Sequence, residues 1–175
     1  MEMPVLFFCH KEANNMDQKK ISRVLIAAGA IAAAAGIFLF FIYGTAAAVS
    51  CRDAFPELKH LFWPGLIWLW AIGLCYLAAM ADYFRIVLNI GKDRSFVPEN
   101  ARGLSRIAGW MGAAGVLWLL AEVLPGLIWG VRLGAGWLGV LLGAVASFAM
   151  AMLAWGLGRL LARAVQLKEE NDLTV

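Results

Sequence analysis

Four apolar stretches without a single charge, at residues 24–49, 61–81, 107–121 and 133–158, occupy most of this chain and leave it few ways to fold. A helix needs about 20 mainly apolar residues to cross a hydrocarbon core roughly 30 Å thick. The first, second and fourth stretches reach that length. The third does so if the helix runs on through Glu122 to Leu124, just ahead of Pro125. Soluble domains are about 45–50% apolar and 25% charged. Here 62% of residues are hydrophobic and 15% charged, which excludes a soluble globular class. The expected fold is all-α: a polytopic membrane protein built as a four-transmembrane-helix bundle.

Charge distribution sets the expected threading. Lys11, Lys19, Lys20, Arg23, Arg85, Lys92, Arg94, Arg102, Arg106, Arg159, Arg163 and Lys168 fall on one side of the four stretches. Only Arg52, Lys59 and Arg132 fall on the other. Over short loops, excess Lys and Arg marks the cytoplasmic side, so both termini are expected there. The expected organisation is a cytoplasmic tail over 1–20, a membrane domain over 21–167 and an acidic tail over 168–175. The helices are expected at about 21–49, 61–90, 98–124 and 133–167. Residues 1–15 carry little structural signal and no cleavable signal pattern, and a start at Met16 would lead directly into the first helix.

Within the helices, Ala28, Ala32 and Gly36 recur every four residues, which predicts a close-packing face on the first. The second helix keeps its pattern past the membrane to Ile90, with Asp82 and Arg85 placed to pair three residues apart. Gly91 is the expected left-handed cap. A polar elbow follows, and Val97 is expected to be extended because it precedes Pro98. Pro98-Glu99 opens the third helix, where Glu99 complements the helix dipole and reaches Arg102. Arg102 and Arg106 share a face. Two helices and their elbow thus form a protruding cytoplasmic hairpin. On the fourth helix, Gly139, Gly143, Ser147 and Ala151 make a stripe of small residues suited to packing within the bundle or between two copies.

Three polar phrases carry a resemblance: Arg85-Ile86-Val87-Leu88-Asn89-Ile90, Phe96-Val97-Pro98-Glu99-Asn100-Ala101-Arg102 and Gln166-Leu167-Lys168-Glu169-Glu170-Asn171-Asp172-Leu173-Thr174-Val175. Together they resemble the domain-of-unknown-function 2975 family of bacterial four-helix membrane proteins, over roughly residues 21–175. That resemblance implies an inner-membrane protein without an assigned activity. It also implies a partnership with a small helix-turn-helix regulator. Gly103 departs from the family pattern, where a polar or basic residue is more usual.

The residues expected to meet a cytoplasmic partner are Arg85, Asn89, Arg94, Pro98, Glu99, Asn100, Arg102, Arg106, Glu169, Glu170, Asn171 and Asp172. The acidic tail is expected to dock on the hairpin, with Glu169, Glu170 or Asp172 meeting Arg102, Arg106 or Arg94. The basic cluster also suits anionic membrane lipid; direct nucleic-acid binding is not expected. Glu122, acidic in an apolar helix, is a candidate intramembrane polar site or a hydrated interfacial residue near Arg132. Signatures of phosphate-binding loops, zinc proteases and serine hydrolases are missing. His10 and His60 are expected on opposite sides of the membrane, so no metal or cofactor is expected. Cys9, Cys51 and Cys75 form no Cys-x-x-Cys pair. The sequence points to a non-enzymatic regulatory or interaction protein, with an oligomeric transporter or channel subunit as the alternative.

Overall fold

Inside a bilayer no water is available to backbone amides, so each apolar segment must satisfy its own hydrogen bonds as a helix. The computed structural model describes the backbone of residues 3–92, 94–130 and 137–173, and the side chains of 19–57, 59–92, 94–128, 130 and 137–171. Helix α1 (Met3–Ile37) passes through a π-helical turn (Phe38–Tyr43) into α2 (Gly44–Ala54). A 3₁₀ turn (Pro56–Leu61) leads to α3 (Phe62–Gly91), followed by α4 (Pro98–Trp129) and α5 (Trp137–Leu173). Four helices are long and apolar enough to cross a membrane: Lys19–Ala54, Lys59–Gly91, Pro98–Ile128 and Trp137–Asn171. Their outer faces carry bare aliphatic side chains such as Leu142, Met152 and Leu127, which suits contact with lipid tails.

The spans pack in chain order, α1 on α3, α3 on α4, and α4 on α5, with α4–α5 the most extensive pairing. Among the described residues α1 and α5 do not pack on each other. The centre is closed by side chains instead. Phe40 stacks on Tyr76 with ring centroids 5.1 Å apart. The Tyr76 hydroxyl lies 2.6 Å from Ser147 Oγ, and Ser147 Oγ donates to the Gly143 carbonyl at 2.6 Å. Trp68 Nε1 donates to the Leu117 carbonyl at 2.9 Å, tying α3 to α4.

Several local expectations are corrected. The first span buries Ser22, Gly29 and Phe40, not the face of Ala28 and Ala32, because Gly29 must admit Tyr83. A Cβ at Gly29 would sit 2.5 Å from that ring. Gly91 is helical rather than left-handed. Its missing side chain makes room for Ser22, whose Oγ would lie 2.6 Å from a Cβ there and donates to the Val87 carbonyl. The left-handed cap falls instead at Gly130 (φ 68°), whose N–H bonds back to the Pro125 carbonyl. Pro125 therefore lies inside α4 and does not end it. Backbone from Met3 onward is helical, and α2 carries the first span through Cys51 to Ala54. An extended Val97 before Pro98 follows the sequence reading.

The π turn was not anticipated. Its register is marked by the Gly44 N–H bonding the Leu39 carbonyl, five residues back. Phe40 and Phe41 are brought against Gly73, where a Cβ would meet them at 3.0 and 3.1 Å. Thr45 Oγ1 donates to the Phe41 carbonyl at 2.7 Å, satisfying one acceptor of the disturbed ladder.

Candidate functional site

The polar residues of the chain gather at the end of the helices that carries the α3–α4 elbow. Ser22 is level with Val87, so Lys19, Lys20 and Arg23 sit at that end too. So do Arg159 and Arg163, since Gly158 packs on Ala101. At the centre stands Asp82, its side chain 4% exposed. Asp82 Oδ1 accepts from Arg106 Nε at 3.0 Å and lies 2.9 Å from Arg106 Nη2, across the helix pair. It also accepts from Arg85 Nη1 at 3.1 Å, one turn along α3. The expected Asp82–Arg85 pair is present, but the sequence reading missed Arg106 as the tertiary partner. The expected Glu99–Arg102 pair is present at 3.5 Å.

A turn above, Asn100 is 1% exposed and holds the elbow. Its Oδ1 accepts from Asn89 Nδ2 at 2.8 Å, while its Nδ2 donates to the carbonyls of Arg94 and Ser95, each at 3.0 Å. The Asn89 carbonyl accepts the N–H groups of Lys92 and Arg94. Two asparagines thus replace the hydrogen bonds that the chain loses where it leaves one helix for the next. Pro98 begins α4 without an N–H to satisfy.

Between α3 and α4 this end opens into a cavity of about 370 Å³ whose walls include Arg85, Lys92, Arg102 and Arg106. Gly103 forms part of its floor, close enough to Ile86 that a Cβ would lie 3.0 Å away. No residue of α5 lines it. Two of the arginines expected to meet the acidic tail are engaged by acids of the hairpin itself. Arg102 and Arg106 point to the α3 side of α4 and pair with Glu99 and Asp82. Meanwhile α5 continues straight to Leu173, carrying exposed Glu169, Glu170 and Asn171 past the first turn of α4. The side chain of Asp172 lies outside the described residues.

The expected small-residue stripe divides. Ser147 is fully buried and Gly143 faces Trp118, with a Cβ position 2.7 Å from the indole. Ala151 is half-buried. Gly139 is exposed with open space around it, so it does not belong to the seam. Ala144, Ala154 and Gly158 complete the face, because a straight helix alternates three- and four-residue steps to keep one side on its neighbour. Glu122 lies near the opposite end. Its Oε2 is buried and has no hydrogen-bond partner among the described residues; Arg132, its expected neighbour, lies outside them. Close by, an apolar cavity of about 570 Å³ separates α2 and α3 from α4, with Cys51 and Arg52 among its lining residues. Among the described residues no group of three His, Cys, Asp or Glu could hold a metal ion.

Four helices long and apolar enough to cross a membrane define a polytopic, all-helical membrane protein. The chain belongs to the family described as "Protein of unknown function (DUF2975)", whose model matches residues 45–175. The match contains all three polar phrases but not residues 21–44. No curated protein and no solved structure matches the chain.

Proposed function

We propose that this protein is a non-enzymatic regulatory or interaction protein of the bacterial cytoplasmic membrane, with both termini in the cytoplasm. It presents the α3–α4 hairpin and the end of α5 to a soluble partner such as a small helix-turn-helix regulator. One observation carries this reading: the buried polar side chains at the hairpin are occupied in holding its shape, while the cationic ones remain exposed. Asn89, Asn100 and Asp82 are bonded to the chain's own groups, so they hold a surface rather than await a substrate. Arg85 and Arg102, each 70% exposed, and the exposed Glu169 offer charges of both signs to a partner. The concentration of Lys and Arg at this end supports the orientation.

Co-purification from native membranes after mild cross-linking tests the reading. A soluble DNA-binding protein recovered with the parent chain, and lost on Arg85→Glu with Arg102→Glu, is the expected result. Reporter fusions after Asn89 and Val175 should give cytoplasmic signals and a fusion after Asp53 an external one; the reverse pattern overturns the orientation. Glu122 Oε2, buried and without a hydrogen-bond partner among the described residues, favours a second reading, an oligomeric transporter or channel subunit. Recovery of a homo-oligomer alone, with no soluble partner, would favour that one.

A further inference from the structure

The cavity between α3 and α4 has a chemistry that partner binding does not require. Four cationic side chains reach it, two from each helix: Arg85 and Lys92 from α3 and its cap, Arg102 and Arg106 from α4. The two carboxylates beside them, Asp82 and Glu99, are already engaged with three of these cations. Lys92 has no side-chain ion pair or hydrogen bond among the described residues. The walls therefore carry a net charge of about +2, since four cations face two carboxylates. The first turn of α4 lies in the same wall and adds the positive end of a helix dipole.

The ring is also held in place before any ligand arrives. Asp82 anchors two of the arginines by one buried oxygen. Each guanidinium has five N–H donors, and Arg85 and Arg106 each use one in a hydrogen bond to Asp82. The remaining donors are available to an acceptor in the cavity. Ile86 and Leu88 line it as well, so the carbon skeleton of an occupant can lie against them while its anionic head meets the cations. A volume of about 370 Å³ falls at the lower end of ligand sites, about 300–1,000 Å³.

Depth points the same way. Arg85 lies six residues before the end of α3, roughly 9 Å along its axis at 1.5 Å per residue. Helix α3 has 30 residues, roughly 45 Å at 1.5 Å per residue, so its elbow end can project beyond a hydrocarbon core of about 30 Å.

We propose that this cavity binds a phosphate group carried on a glycerol-sized body, with Lys92 and Arg102 gripping the phosphate and Arg85 and Arg106 forming its fixed base. The phosphate can come from a lipid headgroup of the surrounding bilayer or from a soluble phosphomonoester. Both present the same tetrahedral oxyanion, which a guanidinium recognises by parallel N–H bonds and an ammonium as a point charge.

The test uses the full chain in two arms. In detergent, glycerol 3-phosphate is titrated by calorimetry. In nanodiscs, native mass spectrometry follows the retention of phosphatidic acid against phosphatidylcholine. Lys92→Gln with Arg102→Gln removes two exposed charges without touching Asp82, and thermal unfolding verifies that the variant folds. Arg159→Gln with Arg163→Gln removes the same charge from α5 at the same end.

The expected result is binding in at least one arm, weakened about tenfold or more by the first pair, the loss expected for charge-assisted bonds. The α5 pair should leave binding within about twofold, because diffuse surface charge is screened beyond a Debye length. Lipid retention without calorimetric binding assigns the phosphate to the bilayer. Binding of both, with competition, assigns it to either source. Equal weakening by the two variant pairs means diffuse surface attraction and overturns the proposal, as does the absence of phosphate binding in both arms. None of these outcomes depends on whether a soluble regulator is recovered.

Discussion

Asn100→Ala should open the elbow between α3 and α4 while leaving the spans in place. The side chain of Asn100 makes three hydrogen bonds, to Asn89 Nδ2 and to the carbonyls of Arg94 and Ser95. A typical intramolecular bond contributes about 1 kcal/mol net, so alanine removes about 3 kcal/mol at most. Arg94 is exposed and Ser95 half-buried, so water recovers part of that loss and about 2 kcal/mol remains. Since 1.4 kcal/mol is a factor of ten, the open elbow becomes roughly thirtyfold more populated. Trypsin reads this directly, because Lys92 and Arg94 stand in the elbow. When opening is fast relative to cleavage, the rate follows the open population.

Cleavage at Lys92 or Arg94 should therefore accelerate by about thirtyfold in Asn100→Ala and by less in Asn89→Ala, which leaves two of the three bonds. Asn100→Asp is the sharper comparison. It keeps the shape and the acceptor for Asn89 but turns an acceptor toward two carbonyls, so it should protect no better than alanine. Unchanged cleavage in the alanine variant, or restored protection in the aspartate variant, would refute the clamp.

Two further substitutions probe the helix contacts. Gly143→Ile places a branched side chain where even a Cβ lies 2.7 Å from Trp118; about 1–3 kcal/mol of stability in detergent should be lost. Gly139→Ile meets open space and should be neutral, and a stable Gly143→Ile chain with an altered oligomeric state would instead make the seam intermolecular. Asp82→Ala removes the contacts to Arg85 and Arg106, for a loss of about 1–3 kcal/mol, because the exposed arginines regain water. Thermal unfolding should rank the losses as Asp82→Ala, then Arg106→Ala, then Arg85→Ala, since Arg106 bridges two helices and Arg85 only its own. A larger loss from Arg85→Ala would contradict the tertiary role of Arg106.

The spans were legible because bilayer crossing imposes a length and a composition that no tertiary contact can override. The elbow was legible for a similar reason: Pro98 restricts Val97 and starts a helix by local geometry alone. Facing directions were not. Ala28 and Gly29 are both small and adjacent, and only the position of Tyr83 on α3 decides which of them must be the smaller. The same holds for Gly91, which resembles a cap in sequence but is needed for Ser22. The π turn lacks a sequence mark of its own. It answers to the bulk of Phe40 and Phe41 meeting Gly73, a contact between residues more than thirty positions apart.

The link from Asp82 to Arg106 shows what could have been read and was not. Two antiparallel helices joined by a tight elbow bring together residues lying at equal distances on either side of it. Asn89 and Asn100, Ile86 and Gly103, and Asp82 and Arg106 are three such pairs, all nearly symmetric about Arg94. An acid and a base at matching distances from an elbow are thus a tertiary signal written in the sequence, once the centre of the elbow is known. The expected end of one helix at Ile90 and start of the next at Pro98 bracket that centre to within a residue or so. Asp82 looked like a local partner of Arg85 because the helical spacing of three is the more familiar pattern. In the folded chain its buried oxygen serves both helices, which is why the exposed arginines keep a fixed origin at the mouth of the cavity.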